Sequence, residues 1–133
     1  MAIYKNGQLI ATVAAENYTI NPKGDPYEVG SNGPAPHGVY HVGPVLHWDE
    51  TAKDKQSYGT EGVIALSGPG NSNLAQERLI RIHAGEDAYF ARGASDNYDH
   101  AWTEGCIRVS EQTMVLLERT LNPNPSQNTL IIK

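Results

Sequence analysis

A single cysteine, Cys106, occurs among the 133 residues, so no internal disulfide can close and the fold must rest on its hydrophobic core. Apolar runs are short. None approaches the roughly 20 residues that a helix needs to cross a bilayer, which argues against membrane insertion. Basic residues are also scarce: ten Lys and Arg against fifteen Asp and Glu leave a formal charge of −5. That balance, with no basic stripe, excludes the electrostatic footprint of a nucleic-acid binder and makes anionic membranes poor partners. The first nine residues lack the charged, then apolar, then small-residue pattern of a secretory signal, so an exported protein is expected either to use another exit route or to have this sequence begin after a processed or trimmed segment. What the chain has in quantity is punctuation, with 13 glycines and 8 prolines beside a hydrophobic fraction of 39%. This favours a turn-rich, mostly β protein over a helical bundle. The length suits one domain over residues 1–133, able to bury about two-thirds of its unfolded surface without disulfides or a metal.

Asn6-Gly7 between apolar flanks is the signal of a two-residue hairpin, which pairs Ile3–Lys5 with Gln8–Ala14. Tyr18–Ile20 is expected to add a short strand. Gly24 to Pro36 reads as an ordered loop entering a strand over Gly38–Val45, and the polar run from Asp49 to Gly62 as a surface excursion. A strand over Gly62–Leu66 leads to a turn at Gly68-Pro69-Gly70-Asn71, a short helix within Leu74–Leu79, and a strand beginning at Leu79 and reaching His83. Ser110 can cap a helix through Leu121 with Met114, Leu117 and Leu121 on one face; Asn122-Pro123-Asn124-Pro125 ends it, and Thr129–Ile132 returns as the last strand.

The lone thiol has three readings: a buried hydrophobe, a redox or partner-linking group, and a nucleophile served by a histidine from elsewhere. His83-Ala84-Gly85 supplies such a histidine at a strand end beside flexible backbone. An imidazole neighbour raises the thiolate fraction of a group whose ordinary pKa is about 8.5. Gly105 admits a carbonyl close to the backbone, and the amides of Gly105 and Cys106 are candidate donors to a developing oxyanion. On an extended strand Arg108 shares a face with Cys106, where a guanidinium can bind a carboxylate or support the thiolate. Arg81 and Arg92 are further local cations, otherwise read as solvated surface charges.

Ile82-His83-Ala84-Gly85 together with Thr103-Glu104-Gly105-Cys106-Ile107-Arg108 resembles the signature of the L,D-transpeptidase catalytic domain, the YkuD-like family of cell-wall cysteine enzymes. Ala35-Pro36-His37-Gly38-Val39-Tyr40-His41-Val42 is similar to that family's Thr-Pro-x-Gly-x-Phe-x-Ile strand, and Ile3 to Ile10 to its first hairpin. The resemblance implies a β-sandwich with one or two short helices. It implies Cys106 as nucleophile and His83 as base and later acid. Gly105, Cys106 and Gly85 would give backbone support, and Arg108, Thr103, Trp102 and Tyr98 would contact substrate. The substrate implied is a peptidoglycan stem peptide, cut after an L-centre to form a thioester that an amine resolves by cross-linking or water by hydrolysis. No cofactor or metal is implied. The place of action would be the periplasm or cell wall of a bacterium. Glu104 departs from the pattern, standing where the family usually has a second histidine. A carboxylate there opposes thiolate formation unless it turns outward or pairs with Arg108 or His100. Transpeptidation and hydrolysis therefore stay level, and a phage lysin or secreted antibacterial effector, the latter with an immunity or inhibitor protein as partner, fits the divergence.

Other arrangements are weaker. His37, His41, His47 and Asp49 are metal-ligand types, yet His37 and His41 on an extended strand lie about 13 Å apart. His100 is a rival base, without the strand-end context of His83. Tyr89, Phe90, Tyr98, His100 and Trp102 read either as a lid over substrate or as aromatics packing a long loop on the core. A non-catalytic wall-binding or redox module is the alternative function class.

Overall fold

Asn6 and Gly7, at φ 50° and 79°, form the left-handed turn that joins β1 (Ala2–Lys5) to β2 (Gln8–Thr12) in antiparallel register. The structure is a computed structural model that describes residues 1–12, 23–31, 33–46, 62–84 and 106–133. The strand expected at Tyr18–Ile20, the polar excursion from Asp49 and the aromatic stretch from Gly85 to Trp102 lie outside the described residues. The remaining strands are β3 (Gly38–Leu46), β4 (Val63–Ser67), β5 (Arg81–His83), β6 (Ile107–Arg108) and β7 (Asn128–Ile132). With the hairpin they make one curled seven-stranded sheet in the order β2-β1-β7-β3-β4-β5-β6. The expectation of a mostly β protein is met.

Alternation along the strands turns one face of the sheet into the core wall. Ile3, Leu130 and Tyr40 form one row across β1, β7 and β3; Ile64, Ile82 and Ile107 form another across β4, β5 and β6. All six are about 1% exposed or less, and they belong to one hydrophobic cluster with Met114 and Leu117. Those two come from helix α2 (Glu111–Thr120), whose first turn is capped by Ser110, its hydroxyl accepting from the Thr113 amide at 3.1 Å. Leu121 turns extended at the helix end but still packs against the cluster.

Two devices shape the sheet. In β3 the pairing advances three residues from Val42 to Val45 against two on β4, a bulge at Gly43-Pro44, where proline has no amide to pair. Asn128 is fully buried and spends its side chain as a clasp: Nδ2 donates to the carbonyls of Val42 at 2.9 Å and Asn122 at 2.8 Å, and Oδ1 accepts from the Asn122 amide at 2.8 Å. This ties the chain leaving α2 to the middle of the sheet.

One boundary differs from expectation. β5 starts at Arg81 rather than Leu79, because Leu79 closes the short helix α1 (Leu74–Glu77) in a left-handed conformation, φ 54°. The Leu79 amide donates to Gln76 O at 3.3 Å and the Ile80 amide to Ala75 O at 2.8 Å, the hydrogen-bond pattern of a Schellman cap. Glycine normally fills this position, so the sequence carried no signal for it.

Candidate functional site

β5 and β6 are the only parallel neighbours among the described strands; His83 ends β5, and Cys106 immediately precedes β6. Ile82 pairs with Ile107 and His83 with Arg108. Since Ile82, Ala84, Ile107 and Val109 face the core, Arg81, His83, Cys106 and Arg108 belong to the opposite face. Carried one residue back, the register sets Cys106 beside Arg81 and two positions from His83. The Val109 amide donates to the His83 carbonyl at 2.9 Å and holds this alignment beyond the strand ends.

Cys106 is half-buried, and its thiol donates to the Leu79 carbonyl at 3.3 Å. The unusual backbone of Leu79 is what aims that carbonyl, so the helix cap and the thiol's resting position are one piece of geometry. A left-handed non-glycine residue costs on the order of 1 kcal/mol, a strain of the kind that gathers at sites.

His83 is 3% exposed, and its Nδ1 lies 2.6 Å from the Ala84 carbonyl. A carbonyl only accepts, so Nδ1 carries the proton and Nε2 is left as the basic nitrogen. Burial pushes the imidazole down to about 4; the bond to Ala84 opposes this shift and the Arg108 cation adds to it. The ring is therefore neutral throughout the physiological range. Arg108 itself is 4% exposed, packed beside His83 rather than presented to solvent. Its reading as a substrate contact gains nothing from this burial, whereas a role beside the imidazole does.

A residue of this region that the sequence did not disclose is Arg78. Its guanidinium donates to three main-chain carbonyls of the 23–36 loop: Pro26 at 2.5 Å, Pro34 at 2.9 Å and Gly33 at 2.6 Å. Gly33 must be glycine here, since a Cβ would stand 2.5 Å from the Gly24 carbonyl oxygen. Burial pushes the Arg78 guanidinium down from its usual range, while Tyr40, Cys106 and Asp25 act electrostatically to raise it. An arginine does not lose its proton in a protein, so a fixed positive charge acts on Cys106, in the direction that favours thiolate. Tyr40 anchors the same loop through its hydroxyl, which donates to the Pro36 carbonyl at 2.6 Å; burial pushes this phenol up to about 12. The acceptors of Arg78 lie 44 to 52 residues away, a spacing with no local signature.

Of the residues expected at the site, the structure brings together Cys106, His83 and Arg108. Gly85, Tyr98, Trp102, Thr103 and Gly105 lie outside the described residues, as do Arg92, His100 and Glu104. His37 and His41, two of the metal-ligand types, are exposed, and no group of three or more His, Cys, Asp or Glu is placed to hold a metal among the described residues. His47 and Asp49 lie outside them. No family model, curated protein or solved structure matches the chain.

Proposed function

We propose that the chain is a cysteine-dependent acyl-transfer enzyme that acts on peptidoglycan stem peptides at an L,D bond, on an L,D-transpeptidase-like β-sandwich. The observation that carries this reading is the parallel pairing of β5 with β6, which gives one face of the sheet a histidine in the Nδ1-H tautomer and the chain's single thiol. Two sequence elements 23 residues apart thereby become neighbours.

In the proposed reaction the Cys106 side chain rotates away from the Leu79 carbonyl toward Nε2 of His83. The sulfur attacks the carbonyl carbon of the L-centre as its proton passes to Nε2. The C–N bond then breaks, the imidazolium returns the proton to the departing amine, and a thioester remains. An amine gives a cross-linked peptide; water gives a shortened one. An imidazole held at about 4 is too weak a base to keep a standing thiolate–imidazolium pair, so proton transfer accompanies attack. Arg108 beside the ring and Arg78 near the sulfur bias the pair in opposite senses, keeping the imidazole neutral and favouring sulfur anion.

The test is mass analysis of purified stem-peptide fragments incubated with the protein and with Cys106→Ala and His83→Gln. Joined or shortened peptides that require both residues are expected. Absence of any Cys106-dependent product removes the enzyme reading. It would leave a non-catalytic wall-binding or redox module, the reading that a thiol resting on a carbonyl favours.

A further inference from the structure

The outer part of the 23–36 loop owes its shape to hydrogen bonds. None of residues 23–31 is buried, and Tyr27 and Val29 are more than half exposed, so apolar packing does not account for the conformation. The Tyr27 amide donates to Asp25 Oδ1 at 2.9 Å, the Ser31 hydroxyl to the Asp25 carbonyl at 2.6 Å, and the Gly33 amide to Ser31 Oγ at 3.2 Å. Across these turns the Arg78 guanidinium holds both limbs, Nη1 donating to Pro26 and Pro34 and Nη2 to Gly33. A planar fork of donors suits carbonyls that converge in this way.

Arg78 also adjoins the seat of the thiol. The next residue is Leu79, whose carbonyl receives the Cys106 hydrogen bond at 3.3 Å. The grip on the loop and the rest of the sulfur thus leave from consecutive residues, whose Cα atoms are about 3.8 Å apart. Electrostatics agree with this placement: Tyr40, Cys106 and Asp25 all act on the same guanidinium. Asp25 belongs to the loop, and Tyr40 ties the loop's inner end through the Pro36 carbonyl. Loop and sulfur therefore share one neighbourhood, centred on Arg78.

We propose that Arg78 is a positioning residue, holding the 23–36 loop as a wall beside Cys106 so that only slender acyl donors reach the sulfur. The donor is that of the acyl-transfer reading, on which this role rests; the wall itself needs only the clamp. Arg78 acts through the loop. Its three carbonyl bonds set where the loop stands, and the loop sets how wide a group can approach.

Because the chain has one cysteine, two neutral maleimides read the wall, one N-ethyl and one carrying a polyethylene glycol chain. With each, the sulfur adds to the ring double bond and the adjacent carbon takes a proton, so thiolate content cancels in the ratio of rates. Relative to a small free thiol, the parent should disfavour the bulky reagent by about tenfold, and Arg78→Gln should shrink that discrimination at least about threefold by freeing the loop. Arg78→Lys keeps the charge without the planar fork and should behave like Arg78→Gln. Gly33→Ala leaves Arg78 in place but sets a Cβ against the Gly24 carbonyl; it should shrink the discrimination too, and it carries the test should Arg78→Gln fail to fold. Tryptic cleavage after Lys23 in the same variants reports whether the loop has loosened. Faster cleavage with an unchanged ratio overturns the wall, and unchanged cleavage in every variant overturns the clamp. Arg78→Lys matching the parent in both measurements makes charge sufficient and overturns it as well. A shifted ratio in a protein that yields no peptide product keeps the wall and removes acyl transfer, whereas product with a fixed ratio does the reverse.

Discussion

Asn128 and His83 are both buried polar residues in paired strands, and they behave oppositely. Asn128 is neutral and meets three main-chain groups, on a β7 of five residues flanked by the nine-residue β3. His83 is ionisable, sits against a buried arginine, and belongs to a strand of three residues beside one of two. A neutral amide with its hydrogen bonds complete adds cohesion at every pH. An imidazole held far below its ordinary value makes the native state resist protonation, which is a poor way to build a sheet and a useful way to keep a base neutral. The half of the sheet around Asn128 is thus a frame, and the β4-β5-β6 end is where the fold tolerates cost.

The contrast would break first on activity. Cys106→Ala or His83→Gln should lower stem-peptide turnover by at least about a thousandfold, as loss of a nucleophile or its base does, whereas Asn128→Ala assayed below its melting temperature should keep turnover within several-fold. A comparable loss in all three variants would erase the distinction.

Acid should separate the halves next. His83 titrates near 4 in the folded protein against 6.5 ordinarily, so between those values the unfolded chain binds more protons. Stability from this residue is fully present above about 6.5 and falls as pH drops toward 4, by on the order of 3 kcal/mol in all. Urea unfolding across that window should show the slope in the parent and its loss in His83→Gln; parallel profiles contradict the assignment.

Asn128→Ala should cost about 2 kcal/mol in the same urea experiment at neutral pH, since it strips partners from Val42 and Asn122 within the interior. A change under 0.5 kcal/mol, within the range of ordinary surface substitutions, would deny the clasp. The smallest effect is expected at Leu79, which is 60% exposed and left-handed. Leu79→Gly relieves the strain and should raise stability by up to about 1 kcal/mol while preserving the carbonyl that holds the thiol. Destabilisation would mean that the exposed leucine contributes packing the strain argument omits.

Much of the frame could be read from residue order. Asn6-Gly7, the Ser110 cap, the Met114 and Leu117 stripe and the prolines after α2 each act through neighbours within a few positions, and the corresponding elements formed within a residue or two of expectation. The site was half legible. His83 and Cys106 stand out by type and glycine context, but the start of β5 was misplaced because a leucine occupies the helix-cap position that glycine would have advertised. Arg78 was invisible, as its acceptors are carbonyls, which every residue carries.

Local chemistry in the chain therefore decided the turns, caps, strand faces and the identity of the lone thiol, because those depend on side-chain type and short spacing. Three-dimensional closure decided the rest: that β5 and β6 run parallel, that His83 is buried to the point of neutrality, and that of three arginines Arg78 clamps a loop, Arg108 is buried by the imidazole and Arg81 stays partly exposed. Burial and long-range register depend on the packing of the whole sheet, and no single segment specifies them.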